Sequence, residues 1–258
     1  MIECGVIKRW DARFVEINGK VIEYKTQWNE EFPHYVGAPR MNSFLEVLAS
    51  QIDIKFGQTV KFLQNKVDAW GLFDEEGTHL GNYDWVLSSV PPWQTKHIFP
   101  KDFEFLQTLN SVNMSACFTV MLGFHEPLEL EFDAALIKNN DISWISLNSS
   151  KPGRDSAPAI LIHSSNDWAD AHITKDLKEI ESHLSNAFFE IVNLSFLDVR
   201  FVDSKLWRYA NASKRIGEKA FIDRYRKLGA CGDWCVQGKV EAAFLSGQAL
   251  ATELLDII

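Results

Sequence analysis

A β-hairpin close to the first residue is the feature that most limits what this chain can fold into. Asn18-Gly19 separates two alternating runs, Phe14–Ile17 and Lys20–Tyr24, and this arrangement is typical of a tight hairpin turn. Only thirteen residues precede Phe14, whereas the glycine-rich βαβ unit that opens most dinucleotide-binding folds needs roughly thirty. We therefore expect the chain to lack an N-terminal unit of that kind.

Composition and charge favour a globular protein that binds a small molecule. The 258 residues are 46% hydrophobic and 24% charged, which is ordinary for a folded domain. A formal net charge of −9 argues against a nucleic-acid partner, because basic surfaces bind phosphate backbones. Four cysteines are too few for a disulfide framework, and no run approaches the roughly 18 apolar residues of a membrane span. Since no signal region opens the chain, we expect a cytoplasmic protein without membrane contact.

The segment between the hairpin and Pro91 is predicted to contain one helix and several short strands. His34–Pro39 is predicted to be a loop. Ser43 and Glu46 match a capping box, so we expect a helix to about Gln51 with a buried face formed by Phe44, Leu45, Leu48 and Ile52. Strands are predicted at Val60–Leu63, Val67–Phe73, Thr78–Leu80 and Trp85–Val90, with a hairpin loop at Asp74–Gly77.

From Trp93 onwards the pattern mixes helices with strands of an expected antiparallel sheet. Helices are predicted near Lys101–Asn110 and Lys175–Val192, the second with an apolar stripe of Leu177, Ile180, Leu184, Phe188 and Ile191. Strands are predicted near Ala116–Phe124, Ile142–Leu147 and Ile160–His163. The last segment, Gly229–Ile258, is predicted to be a strand, a glycine-rich turn and a helix.

The turn before this last helix carries the residues best suited to hold a ligand. Gly232, Asp233 and Gly238 lie between the strand and the predicted helix start at Val240. A helix start offers unpaired N–H groups and the positive end of a dipole, glycine allows close approach, and aspartate accepts hydrogen bonds from hydroxyl groups. A plain strand-to-helix turn explains the same spacing equally well.

Five segments, in chain order, resemble one known family. They are YVGAPRMNSFLEVLA, WVLSSVPPWQT, NSSKPGRD, LWRYANAS and CGDWCVQGKVEAAFLSGQALA. The last resembles the C-terminal FAD signature of the flavin amine oxidoreductase superfamily, and of bacterial renalase-like proteins in particular. With the hairpin, the matches run from about Trp10 to Leu255, and the family's N-terminal G-x-G-x-x-G has no counterpart among them.

The resemblance implies a mixed α/β (α+β) fold. This would be a truncated FAD/NAD(P)-binding fold of the amine oxidase/renalase type, interleaved with an antiparallel-sheet substrate domain. Residues 1–33 would form a substrate-domain hairpin, 34–92 part of the FAD-binding domain, 93–217 the substrate domain and 218–258 the C-terminal FAD-binding segment.

The same resemblance implies roles for individual residues. Trp207 and Tyr209 would form the substrate-binding walls above a flavin, where aromatic rings suit a flat cationic or pyridine-type substrate. The implied FAD-binding residues are Gly232, Asp233, Trp234, Gly238, Val240, Glu241, Ala242 and, in a strand whose backbone meets adenine, Val60. No catalytic side chain is implied, because in this superfamily a hydride passes from the substrate to flavin N5 and dioxygen or another acceptor reoxidises the flavin.

Other kinds of site find little support. Cys231 and Cys235 have three residues between them rather than the two of a redox or zinc motif, so buried thiols are the expectation. The seven histidines are scattered without metal-ligand spacing, and no G-x-S-x-G or P-loop sequence occurs.

Two hypotheses remain. The first is an FAD-dependent oxidoreductase that acts on an amine or a dihydronicotinamide-type substrate. Its N-terminal unit would be accounted for by a mis-set start, a split gene or a second chain, and in the last two cases a separate N-terminal fragment would be a partner. The second is a non-catalytic remnant or binding protein that holds no flavin.

Overall fold

The computed structural model describes residues 1–194, 199–213, 216–236 and 238–258. Two compact units share the chain: unit 1 contains Met1–Ile54 and Ala116–Trp207, and unit 2 contains Lys55–Ser115 and Arg208–Ile258. The chain therefore crosses from one unit to the other three times, at 54/55, 115/116 and 207/208. The predicted division has its boundaries at 33/34, 92/93 and 217/218. The functional labels given to those four segments stay a prediction.

Fifteen strands lie within the described residues. They are β1 (Ile7–Arg9), β2 (Arg13–Asn18), β3 (Val21–Gln27), β4 (Tyr35–Gly37), β5 (Phe62–Lys66), β6 (Ala69–Phe73), β7 (His79–Tyr83), β8 (Val86–Ser88), β9 (Met114–Phe124), β10 (Ala134–Lys138), β11 (Ile142–Leu147), β12 (Ala159–Ser164), β13 (Val199–Ala212), β14 (Phe221–Asp223) and β15 (Leu228–Ala230).

Seven α-helices lie within the same described ranges. They are α1 (Ser43–Ala49), α2 (Pro92–Ile98), α3 (Leu106–Ser111), α4 (Asn166–Ala171), α5 (Leu177–Val192), α6 (Asp233–Val236) and α7 (Val240–Leu255). The two long ones, α5 and α7, have sixteen residues each. No helix among the described residues is both long and apolar enough to cross a membrane.

A seven-stranded sheet organises unit 1. Its strand order is β13-β9-β12-β11-β10-β2-β3, and β2 and β3 form the predicted hairpin around Gly19. The pairings from β9 to β10 are antiparallel, whereas β10 runs parallel to β2. The sheet is therefore antiparallel at its centre and has one parallel pairing, between β10 and β2.

Alternation along the central strands gives this sheet two different faces. One face packs into the main core with α5, through residues that include Phe118, Val120, Ile145, Ile160 and Ile162. Helix α5 begins at an Asp176 cap and ends at Asn193 in the left-handed conformation, and it buries Ile180, Leu184, Phe188 and Ile191 as predicted. Leu177 is exposed, because it lies in the first turn at the edge of the contact.

Three predictions near α1 are wrong. His34–Pro39 contains strand β4, which pairs antiparallel with β1 and buries Val36. Ser43 is the first helical residue and accepts a hydrogen bond from the Arg40 N–H, while Glu46 pairs with the Arg40 guanidinium, so neither forms a capping box. Of the predicted buried face, Leu45, Leu48 and Ile52 are exposed.

Unit 2 is built on two three-stranded sheets. Strands β5, β6 and β7 form an antiparallel meander whose second turn is the predicted Asp74–Gly77 loop. In the other sheet, β15 is antiparallel to β14 and parallel to β8. The bounds predicted for β5 to β8 are inaccurate by one to three residues at one or both ends of each strand, and the helix predicted near Lys101–Asn110 begins only at Leu106. The core of this unit is formed by Trp70, Phe99, Phe103, Leu109, Phe221, Leu228 and Trp234.

Candidate functional site

The start of α7 opens on a cavity within unit 2. The cavity has a volume of about 440 Å³, and its lining includes Gly238, Lys239, Glu241 and Ala242 together with Asn211 on β13. A volume of this size lies within the range of small-molecule pockets. Three of the predicted cofactor-binding residues therefore line one cavity.

The first turn of α7 has no side-chain cap. Lys239, the residue before the helix, has φ +102° and makes no side-chain capping hydrogen bond, while Glu241 places an acid in the first turn. The leading N–H groups of a helix have no intrahelical acceptor. At α7 they are consequently available to an acceptor in the cavity, beside Val240, which is exposed.

Asp233 supplies a carboxylate at the start of α6, close in sequence to this cavity. Its side chain is partly buried, and burial raises the pKa of the Asp233 carboxyl above its usual range. Backbone N–H groups of Asp233 and Trp234 partly offset this rise. No cation among the described residues contributes to this pKa shift. Because no charged partner occupies the carboxylate, it can accept hydrogen bonds from hydroxyl groups of a ligand.

Gly232 and Trp234 pack inside the protein. The Gly232 N–H donates to the Ser246 hydroxyl at 2.9 Å, and that hydroxyl donates to the Lys219 carbonyl at 2.5 Å. Trp234 is 1% exposed and stacks on Phe221, and its indole Nε1 has no hydrogen-bond partner in the part of the chain that the structure describes. The Gly232 amide is therefore used by the fold rather than offered to a ligand.

The second face of the seven-stranded sheet in unit 1, called here the open face, carries polar and aromatic side chains. Trp144 on β11 pairs with His163 on β12, and His163 pairs with Thr119 on β9. Thr119 then accepts a hydrogen bond of 3.2 Å from the indole of Trp207 on β13. These four residues form a row across four neighbouring strands, and the predicted substrate-binding residue Trp207, 54% exposed, is at one end.

Lys151 folds back over the same face. Its Nζ donates to the Ser146 hydroxyl at 3.1 Å and lies 5.4 Å from the centre of the Trp10 ring, although the residue is only 7% exposed. Burial, together with the positive charge of Arg154, lowers the pKa of Lys151 to about 8. Burial and then Lys151 lower the pKa of His163, so this histidine is mainly neutral at pH 7.

Tyr209 and Val60 lie in unit 2. The Tyr209 ring stacks on Trp93 with a centroid distance of 6.0 Å. Val60 is partly buried and precedes β5, so it lies just outside the strand in which it was predicted. The roles assigned to both residues stay predictions.

The sequence analysis assigned no role to Lys151, His163, Thr119 or Ser146, although Lys151 lies in NSSKPGRD, one of the five segments that resemble the family. Strand alternation could have grouped His163 with the face opposite Ile160 and Ile162, but the strand register was needed to align it with Thr119 and Trp144. Lys151 follows the three-residue 3₁₀ helix Asn148–Ser150, and a lysine in a loop is ordinarily assumed to be solvated.

The thiols of Cys231 and Cys235 are buried, as expected, and poorly reactive. Cys231 and Cys235 are free and buried, and burial raises the pKa of Cys235 to about 12. Since the thiolate is the reactive form, neither is suited to nucleophilic or redox chemistry at neutral pH.

Several solved oxidase structures have a similar fold, although no protein-family model matches the chain. A protein from Exiguobacterium sp. 255-15 that was assigned as a protoporphyrinogen oxidase superposes with a TM-score of 0.66 at 14% identity, covering 86% of this chain and 52% of its own. Cyclohexylamine oxidase from Brevibacterium oxydans IH-35A gives 0.62 at 13% identity, with 84% and 53% covered. A putrescine oxidase bound to putrescine gives 0.61 at 12% identity, with 88% and 56% covered.

These similarities establish the fold. The predicted mixed α/β class of the amine-oxidase type is confirmed. The chain spans about half the length of the oxidases it matches.

Proposed function

We propose that this chain forms the substrate-domain and C-terminal cofactor-binding parts of a flavin-dependent oxidoreductase of the amine-oxidase or renalase type. The observation that carries the proposal is the uncapped start of α7, which opens on the cavity lined by Gly238, Glu241 and Ala242 in a fold of the oxidase type. A dipole-bearing helix start suits the electron-rich edge of a flavin ring.

The described residues fit part of FAD. The α7 amides would hold the ring edge, and the Asp233 carboxylate, which lacks a cationic partner, would accept hydrogen bonds from ribityl hydroxyls. The Gly232 N–H is already bonded to Ser246, and the sequence offers no glycine-rich phosphate turn. We therefore expect this chain to recognise the ring and ribityl portion, and to leave the phosphates to a partner.

Unit 2 has surfaces that such a partner could cover. Strand β8 pairs in parallel with β15, and no strand among the described residues pairs with its other edge. Parallel strands are ordinarily covered on both faces. Leu87 on β8 and Val240 and Phe244 on α7 are exposed. A glycine-rich βαβ segment, supplied by another chain or by sequence outside these 258 residues, would extend β8 and bring the missing phosphate-binding turn.

The proposed hydride transfer requires no catalytic side chain. When bound, a flavin supplies the hydride acceptor, N5, and returns the electrons to dioxygen or another acceptor. Trp207 and Tyr209 stay the proposed substrate-binding residues, and the protein would contribute alignment and exclusion of water. We assign no general base, and the substrate is an amine or a dihydronicotinamide-type compound.

One prediction separates ring recognition from phosphate recognition. Titrating the purified chain with riboflavin and with FAD, followed by flavin fluorescence and the visible spectrum, should give dissociation constants within about threefold of each other, since this chain recognises the shared part. FAD binding more than tenfold tighter would contradict the assignment of the phosphates to a partner. A colourless chain that binds neither compound would support the second hypothesis, a remnant or binding protein without flavin, which the internal use of the Gly232 amide favours.

A matched pair of variants locates the site. Ala242 lines the cavity and is buried, whereas Ala243, the next residue of the same helix, is exposed. Ala242→Leu should weaken riboflavin binding at least tenfold by filling the cavity, and Ala243→Leu should leave it within twofold. Circular dichroism and thermal unfolding would verify that both variants fold. Equal effects of the two substitutions would place the ligand elsewhere.

A further inference from the structure

The open face of unit 1 contains a buried positive charge that the fold does not neutralise. Lys151 is 7% exposed, and its only hydrogen-bond acceptor among the described residues is the Ser146 hydroxyl. No described carboxylate lies within 4.0 Å of its Nζ. An ammonium group has three N–H donors, so two of them have no acceptor in the described part of the protein. A buried unpaired charge is unfavourable, and an anion that entered here would relieve that cost.

Arg154 adds to the positive field around Lys151. It donates to the carbonyl oxygens of Pro39, Pro152 and Gly37, which leaves its charge without an acidic partner among the described residues. His163 faces Lys151 as well, and because its pKa is lowered it is mainly neutral at pH 7 and adds no charge. No acid among the described residues contributes to the pKa shift of Lys151.

Aromatic rings flank the same position. The Lys151 Nζ lies over the ring of Trp10 at 5.4 Å. Trp144, two residues before Ser146 on the same side of β11, is partly buried and stacks with Phe14 and Trp28 at centroid distances of 6.2 and 6.5 Å. Rings of this kind favour a flat ligand over an aliphatic one.

We propose that the open face of the seven-stranded sheet binds a small aromatic anion. Its carboxylate or phosphate pairs with Lys151, and its ring lies against Trp10 and Trp144. The proposal deepens the proposed function, and it rests on that function only for the status of this ligand as a substrate. On this assignment the face rejects a protonated amine, because bringing a second cation beside Lys151 and Arg154 is unfavourable.

Binding can be measured without any flavin, so this inference and the proposed function can fail separately. Isothermal titration calorimetry of the full chain at pH 7 would use benzoate and phenyl phosphate as probes. Benzylamine has the same ring with the opposite charge, cyclohexanecarboxylate has the charge without the aromatic ring, and inorganic phosphate lacks a ring. We expect benzoate or phenyl phosphate to bind one to one, at least tenfold tighter than each of the other three.

Variants identify the cation. Lys151→Met should weaken binding of the aromatic anion at least tenfold, and Lys151→Arg should retain part of it. Lys25→Met is the matched control, because Lys25 is an exposed lysine on the same sheet that is paired with Glu131. Lys205, whose Nζ lies 5.9 Å from the Trp207 ring, is the rival cation, and Lys205→Met should have little effect.

Binding should also weaken as the pH rises above about 8, where Lys151 loses its proton. Benzylamine binding as tightly as benzoate, full affinity in Lys151→Met, or loss of affinity in Lys205→Met alone would overturn the proposal. Absence of binding by both aromatic anions would do the same.

Discussion

Replacing Lys151 by methionine is expected to stabilise the protein at pH 7. The lysine is buried without an acidic partner, and its pKa falls from the ordinary 10.5 to about 8. Each unit of lowering corresponds to about 1.4 kcal/mol of disfavoured protonation, so keeping Lys151 charged costs about 3 kcal/mol at most. Methionine has a similar length and no charge. Urea unfolding at pH 7 should therefore give a higher unfolding free energy for Lys151→Met, by about 2–3 kcal/mol.

The pH dependence supplies the check. The folded-state pKa of Lys151 is lowered, so its cost is fully present below about pH 8 and disappears as the pH rises towards 10.5, where the unfolded chain also loses the proton. The difference between wild type and Lys151→Met should accordingly be constant from pH 6 to 7.5 and shrink from pH 8 to 10. A variant that is less stable than wild type at pH 7 would show that Lys151 is held by favourable contacts. A gain in stability together with a loss of anion binding is the pattern of a residue kept for function.

Gly232→Ala is expected to have the largest destabilising effect near the candidate cofactor site. A methyl group at Gly232 would lie 2.3 Å from Nε1 and 2.5 Å from Cδ1 of Trp234. Trp234 cannot move aside easily, because it is 1% exposed and stacked on Phe221. Overpacking of this kind costs about 3 kcal/mol, which should appear as a clear fall in the urea midpoint with an unchanged slope.

Gly247→Ala is the matched control for that experiment. Gly247 lies inside α7, and a methyl group there would meet no atom within 4 Å. Alanine is favoured over glycine within a helix by about 0.5–1 kcal/mol, so this substitution should raise the unfolding free energy slightly. If both glycine substitutions changed stability equally, the close contact between Gly232 and Trp234 would be refuted.

The parts of the fold that depend on short-range pattern could be predicted from the sequence. The Asn18-Gly19 hairpin, the strand Ile142–Leu147 and the long helix α5 follow from alternation, turn residues and a 3.6-residue period. Strand β4 could not be found in this way, since Tyr35–Gly37 becomes a strand by pairing with Ile7–Arg9, far away in sequence. The apolar side of α1 shows a further limit, because an amphipathic pattern reports that a face can be buried and says nothing of whether a partner covers it.

The two candidate sites also differ in how far they could be predicted from the sequence. The start of α7 could be predicted because its glycines, its acid and the helix they precede are neighbours in sequence. Lys151, His163 and Thr119 belong to three separate segments, and only the strand register brings the last two beside each other. Their burial also contradicts what their residue types suggest, since lysine and threonine are mostly exposed. Sequence motifs therefore pointed to the candidate site at the start of α7, and the geometry of the sheet pointed to the candidate site on the open face.

The two faces of the seven-stranded sheet limit how this protein can change over evolution. In β12, and in β11 after the irregularity between Ile142 and Trp144, residues that point to the core alternate with residues that point to the open face, as Ile145 lies between Trp144 and Ser146. Inserting or deleting one residue in either strand would move every following side chain of that strand to the opposite face of the sheet. In β12 this change would expose the isoleucines and place His163 in the apolar core. New ligand preferences can therefore arise here by substitution, one side chain at a time, whereas a change in strand length would forfeit folding and recognition together.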